Sequence, residues 1–172
     1  MKIVNIVYSG NLECEINFER FQELGASIFS YNPKSYHGAY FQLSKGKVTL
    51  YRSGKYIIVG LKSLDDIESA FKEFFSIISK NYKIKNAQLP QIQNIVATYD
   101  FETTVDLQKI FTSSNLENME YEPEQFSGLI FRDTDCSVLL FRSGKSVFTK
   151  AKKIDQLLKT KKKIEDLINR IE

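Results

Sequence analysis

Tyr31-Asn-Pro-Lys-Ser-Tyr-His-Gly38 returns as Tyr121-Glu-Pro-Glu-Gln-Phe-Ser-Gly128, and Tyr51-Arg-Ser-Gly-Lys55 returns as Phe141-Arg-Ser-Gly-Lys145, each pair offset by 90 residues. Lys62 and Lys152 keep that offset, and Asn5 finds its counterpart Asn94 at 89. A register held across so many separated positions marks a tandem duplication, and a repeat governs architecture before any single element does. The copies run from about Lys2 to Tyr82 and from about Pro90 to Glu172. The expected organisation is therefore residues 1–82, a short polar linker at 83–89, and residues 90–172, the linker being too short to separate independent domains.

Within each copy the same order of periodicities recurs. Ile3 to Tyr8 and Ile92 to Ala97 are rich in β-branched residues and predict strands. Short helical stretches follow around Phe18 to Leu24 and Leu107 to Phe111. Hairpin strands are expected at Gly38–Leu43, Lys47–Arg52 and Lys55–Val59, then at Gly128–Arg132, Ser137–Arg142 and Ser146–Thr149. The Ser-Gly-Lys triplets at 53–55 and 143–145 supply tight turns, because glycine tolerates positive φ. Each copy closes with a long amphipathic helix. In the first, Leu64, Ile67, Phe71, Phe74, Phe75 and Ile78 recur at helical spacing behind Ser63, with Asp66 three positions on as in a capping box. In the second, Ile154, Leu157, Leu158, Ile164, Leu167, Ile168 and Ile171 mark the apolar side.

A chain of 172 residues, 42% hydrophobic and 26% charged, is long enough for one well-buried core or two small joined ones. No run approaches the roughly 18 apolar residues of a membrane span, and the opening Met-Lys-Ile-Val is strand-like rather than a signal peptide, so no membrane partner is expected. Two distant cysteines, Cys14 and Cys136, fit a reducing compartment and read as small buried hydrophobes. A net charge of +3 does not by itself announce a nucleic acid. His37 is the sole histidine and reads as a turn residue beside Gly38. With no carboxylate pair in an acid/base setting and no ligand cluster, neither catalysis, cofactor nor metal is expected.

Gln93-Asn-Ile-Val, Tyr121 to Arg132, Val138 to Lys145 and Thr149-Lys-Ala-Lys152 resemble, block after block, the second repeat of TATA-box-binding proteins. The likeness covers almost the whole chain and is stronger in the second copy than in the first. Without the long N-terminal extension common in eukaryotic members, it points to an archaeal-type protein, cytoplasmic and nucleoid-associated; a eukaryotic or viral origin would make it nuclear. The resemblance implies an α+β fold: two tandem repeats forming a saddle, a curved antiparallel sheet with helices on the convex face and DNA under the concave one. It implies as partners A·T-rich double-stranded promoter DNA, the B-type transcription initiation factor, and the RNA polymerase assembly and regulators on the convex face.

Strand alternation gives this expectation a chemical basis. Asn5 shares a face with Ile3 and Val7, and Asn94 with Ile92 and Val96. If helices cover the opposite face, these look outward, and a large uncovered apolar sheet marks a partner surface. The minor groove shows only acceptors at A·T pairs and adds an amino donor at G·C pairs, so outward asparagine donors amid apolar residues favour A·T. A lone strand asparagine is as well read as an edge or turn residue; recurrence in both copies argues against that.

By resemblance, Phe126 and Phe141 match the intercalating pair. TATA-box-binding proteins are themselves the standard example of apolar wedges that kink DNA, so this mechanism comes with the family and is not deduced from spacing. Thr149 matches a hydroxyl that meets a base edge. Arg132, Lys145, Lys152, Lys55 and Lys62 match phosphate contacts, which set affinity and register without reading sequence. Glu122, Glu124 and Gln125 match the docking site of the B-type factor. The lysines at 159 and 161–163 read as a solvated helix face.

The first copy departs from this pattern. Tyr36 and Tyr51 replace the wedge phenylalanines, Val59 the threonine, and Gln42 the basic residue answered by Arg132. Burying an unpartnered hydroxyl costs about 1–3 kcal/mol, so a tyrosine pair should wedge less well and the DNA should kink asymmetrically. Lys150 stands where a glycine is usual, which implies either strain at the strand end or a further phosphate contact. Two other functions compete with a general initiation factor: a divergent paralogue that holds the B-type factor while binding DNA weakly or not at all, and an accessory module of a nucleic-acid enzyme. The two copies leave no room for a catalytic domain, which disfavours the latter.

Overall fold

A computed structural model of the chain describes residues 1–84, 88–114 and 117–171. Residues 85–87 of the expected linker lie outside them. Two compact units are present, one comprising residues 5–93 and the other residues 1–4 with 94–172.

In the first copy the chain forms β1 (Lys2–Asn11), a 3-10 helix (Phe18–Leu24), β2 (Phe29–Ser30), β3 (Ala39–Gln42), β4 (Lys47–Leu50), β5 (Lys55–Leu61) and α1 (Asp66–Ser79). The strands are ordered β2-β3-β4-β5-β1, each antiparallel to its neighbours. The second copy repeats the plan with β6 (Gln91–Asp100), α2 (Leu107–Ser114), β7 (Met119–Glu120), β8 (Leu129–Arg132), β9 (Ser137–Leu140), β10 (Lys145–Ala151) and α3 (Ile154–Asn169). Its order is β7-β8-β9-β10-β6, again antiparallel throughout.

The expected strands are present, with shifted ends. β5 and β10 run two residues past their expected limits because a bulge, not a turn, lies at Val59-Gly60 and Thr149-Lys150. In the long helices, Phe71, Phe74, Ile78, Leu157, Ile164 and Ile168 are buried, whereas Leu158 is exposed, as is Leu64, which lies before α1 rather than on it. Ser63 does not cap α1 as a capping box would, since its hydroxyl meets only the Asp65 N–H at 3.3 Å. The Asp66 carboxylate pairs with Lys45 instead. At α3 the amide oxygen of Gln156 accepts from the Lys152 and Lys153 N–H groups at 2.8 and 3.0 Å and satisfies the helix start.

Each core lies on one face of its sheet. In the first copy Phe21, Phe41, Tyr56 and Phe74 are fully buried; Phe41 meets Phe21 and Phe74 edge to face, with ring centres 5.2 and 5.9 Å apart. In the second copy Ile95, Leu140 and Phe148 on the sheet and Leu157 and Ile164 on α3 are fully buried. Burying one such side chain stabilises the fold by about 1.5–3 kcal/mol, which holds the helices on that face. Cys136 is buried as expected, but Cys14 is only half-buried, because it sits in the loop after β1 rather than on an inward strand position.

Candidate nucleic-acid interface

The faces opposite the helices are uncovered in both copies. Along β1, Ile6 and Tyr8 are buried while Ile3, Asn5, Val7 and Ser9 are half-exposed. Along β6, Ile95 and Ala97 are buried while Ile92, Asn94, Val96 and Thr98 are half-exposed. The alternation continues outward, placing Lys55, Ile57 and Val59 on the open side of β5 and Lys145, Val147 and Thr149 on that of β10. Thr49 and Tyr40 extend the first face, and Leu139 and Ile130 the second. Ile57, Val147 and Leu139 were not singled out from sequence, although two-residue alternation from the flanking positions marks them.

The asparagines are held by a feature that spacing does not reveal. Ile6 stands opposite Leu61 and Tyr8 opposite Ile58, so Val7 faces two residues, Val59 and Gly60. Likewise Ala97 stands opposite Phe148 and Ile95 opposite Ala151, leaving Thr149 and Lys150 against Val96. Such a bulge frees a backbone N–H from the ladder. In the first copy the Gly60 N–H donates to Asn5 Oδ1 at 2.7 Å; in the second the Lys150 N–H donates to Asn94 Oδ1 at 2.7 Å. A backbone N–H can only donate, so it fixes which amide atom faces it. The Nδ2 group of each asparagine is thereby turned away with two protons to donate, on a face whose nearest strand neighbours are Ile3 and Val7 or Ile92 and Val96. The Thr149 hydroxyl lies 3.4 Å from Asn94 Oδ1, a weak contact that Val59 has no means to repeat.

At the outer end of each face stands an aromatic pair. Phe126 and Phe141 meet edge to face with centres 5.8 Å apart, and Phe126 is 38% exposed. Tyr36 and Tyr51 occupy the matching places with centres 6.2 Å apart, and Tyr36 is 40% exposed. Their hydroxyls hydrogen-bond to each other at 2.7 Å, so neither is the unpartnered hydroxyl that the sequence suggests. This bond, with burial second, pushes the Tyr51 phenol up to about 12. Tyr40 stacks on Tyr36 at 5.7 Å, and Lys47 Nζ lies 3.9 Å over the Tyr40 ring. Both pairs rest on glycine: a methyl group at Gly128 would come within 2.8 Å of Phe126 and 3.0 Å of Phe141, and one at Gly38 within 2.9 Å of Tyr36.

The cations are unequal. Lys55, Lys62, Lys145 and Lys152 are exposed and form no ion pair among the described residues. Arg132 is not free: its Nε and Nη2 donate to Glu120 at 3.1 and 3.0 Å, which holds the Glu120 carboxyl below its ordinary range. Gln42, its counterpart, turns its amide to the carbonyls of Leu43 and Gly46. On α3, Lys163 pairs with Asp133 and Lys161 lies over Tyr99, so only part of the lysine run is a solvated face. Glu122, Glu124 and Gln125 are exposed on the turn before Phe126, where Gln125 donates its amide to Glu122 and the Glu122 carbonyl accepts from the Gln125 and Phe126 N–H groups at 2.9 Å. His37 lies in an exposed bend. No group of three or more potential metal ligands, and no helix long and apolar enough to cross a membrane, occurs among the described residues.

The family model described as transcription factor TFIID, or TATA-binding protein, matches residues 1–81 and 89–171. Similar proteins include the TATA-box-binding protein of Thermoplasma acidophilum, 38% identical over 95% of this chain and 93% of its own length. That of Sulfolobus acidocaldarius is 37% identical over 96% and 85%. TATA-box-binding protein C of Halobacterium salinarum is 35% identical over 88% of both chains. The solved structure of Methanococcus jannaschii TBP superposes with a TM-score of 0.82 at 34% identity, covering 98% of each chain.

Proposed function

This chain belongs to the TATA-binding protein family, which consists of transcription factors and not enzymes, and from its site we propose that it binds A·T-rich promoter DNA through the minor groove as a general initiation factor. Its α+β fold is that of the family. The reading rests above all on Asn5 and Asn94. Each has its acceptor atom occupied by a bulge N–H and its donor turned to an uncovered apolar face. Donors suit the acceptor-only edge of A·T pairs, and at a G·C pair they would meet another donor. Around them Val7, Val59 and Val96 supply dry contact, Thr149 turns its hydroxyl to a base edge, and Lys55, Lys62, Lys145 and Lys152 meet phosphates.

Bending follows from the ends. Phe126 and Phe141 enter a base step at the second copy's end, and Tyr36 and Tyr51 do so less readily, because their bonded hydroxyls must part or be carried into the groove together. Arg132 reaches phosphate on leaving Glu120. The exposed Glu122, Glu124 and Gln125 turn receives the B-type initiation factor, and the protein works at the nucleoid of an archaeal-type cell. The division into residues 1–82 and 90–172 belongs to the same reading.

Gel-shift titration on an A·T-rich duplex, against a duplex with two central G·C pairs and with or without the B-type factor, tests this. The A·T duplex should be favoured by at least about tenfold, from roughly 1–3 kcal/mol per mismatched pair. The tyrosine pair gives a second reading its foothold: a paralogue that engages the B-type factor without gripping DNA. Absence of any shift, with the B-type factor still bound in pull-down, would establish that reading instead.

A further inference from the structure

Three non-glycine residues among those described adopt positive φ: Glu13 at 55°, Glu102 at 58° and Lys150 at 74°. The two glutamates occupy matching turns, one after β1 and one after β6, each tied to the side chain two residues before it. Lys150 differs, because its counterpart in the first copy is Gly60 at 88°. The backbone there demands a conformation natural to glycine, and the second copy meets it with a residue that is strained in it. Strain of this kind persists where the surroundings enforce it, and it clusters at working sites.

The place of this residue gives the strain a use. Phe148 and Ala151 are both buried toward α3, with Thr149 and Lys150 between them. Two residues spanning a bulge between inward neighbours both leave the helix side, so Lys150 joins Thr149 on the open face. Its own N–H is the group that braces Asn94, and its side chain is exposed with no ion pair among the described residues. The residue that carries this unpaired ammonium is thus tied by its backbone to the Asn94 side chain on the open face.

We infer that Lys150 is a further DNA-binding residue, placing its ammonium on a backbone phosphate beside the base pair that Asn94 faces. It gives the second copy a cation that Gly60 denies the first, on the side where Glu120 engages Arg132. The inference rests on the minor-groove reading of the open faces.

The test measures duplex affinity against salt for the intact protein and for Lys150→Gly and Lys150→Arg, with thermal melting alongside. Lys150→Gly should melt higher, since the strained residue is replaced by one at ease there, yet bind more weakly. Its slope of log affinity on log salt should be shallower by about 0.9, the signature of one lost phosphate contact. The affinity gap between wild type and variant should then shrink by about threefold from 50 to 200 mM salt. Lys150→Arg should keep the wild-type slope. Tight wild-type binding with an unchanged slope in Lys150→Gly overturns this inference alone, and so does a loss of slope in Lys150→Arg equal to that in Lys150→Gly. Failure of the wild type to bind any duplex at low salt overturns the groove reading and this inference with it.

Discussion

The hydroxyls of Tyr36 and Tyr51 lie 2.7 Å apart and bond to each other, whereas Phe126 and Phe141 in the matching places touch only ring edge to ring face. The two copies therefore differ in polarity at these matching, exposed aromatic positions. The bond also gives Tyr51 a titration of its own.

With its phenol held up to about 12, Tyr51 stays protonated in the folded chain well above the ordinary value near 10. The raised value favours the neutral form on folding. Its contribution to stability is complete below about pH 10 and is lost as pH rises through about 12. The ring-carbon NMR shift of Tyr51 should titrate near 12 in the wild type and move down toward 10 in Tyr36→Phe, where no hydroxyl remains to hold it. An unchanged midpoint in that variant would show that the bond is not the cause.

Bending should depend unequally on the two ends. Resonance energy transfer across a labelled A·T-rich duplex should report a larger loss of bend in Phe141→Ala than in Tyr51→Ala. Phe141→Ala should weaken affinity roughly tenfold or more, because prying a step apart costs about a few kcal/mol. Replacing both tyrosines by phenylalanine should increase the bend. A greater loss from Tyr51→Ala would reverse the assignment of the stronger kink.

Asn94 performs two tasks that different substitutions separate. Asn94→Asp retains an oxygen for the Lys150 N–H, so the melting temperature should change little, yet it turns a carboxylate toward groove acceptors and should abolish A·T-specific binding. Asn94→Ala should also lose roughly 0.5–1.5 kcal/mol of stability, the net worth of the hydrogen bond from the Lys150 N–H. Equal melting losses in both variants would show that the bulge N–H does not depend on this oxygen.

Glu120 competes with phosphate for Arg132. Glu120→Gln should release the guanidinium beforehand and tighten duplex binding at low salt, whereas Arg132→Gln should weaken binding and make the salt slope shallower by about 0.9. An unchanged slope in Arg132→Gln would mean that Arg132 never reaches phosphate.

Much of this arrangement could be read directly from the residues. The offset of 90 between Tyr31 and Tyr121 revealed the duplication, and two-residue alternation placed Asn5 and Asn94 on the face opposite Ile6 and Ile95. What escaped depends on backbone detail or on distant neighbours. The bulges at Val59-Gly60 and Thr149-Lys150 are insertions relative to a partner strand, invisible until the register of β1 and β6 is known. The Tyr36–Tyr51 bond joins residues 15 apart across the β3–β4 hairpin, and the Glu120–Arg132 pair likewise joins β7 to β8 across a turn. The capping box at Ser63 failed because α1 begins at Asp66, leaving Asp66 to meet Lys45. The strain at Lys150 was one of two outcomes its position allowed, and its φ of 74° settles that it is present.

Phe126 and Tyr36 lie close over the bare α-carbons of Gly128 and Gly38, with Phe141 and Tyr51 as ring neighbours. A push on the exposed edge of either ring is met by main chain on one side and by an aromatic ring on another. The load passes into the ladders that begin at Leu129 and Ala39, where neighbouring strands share it. The aromatic ring of each copy that reaches furthest into solvent is thus seated directly against sheet backbone.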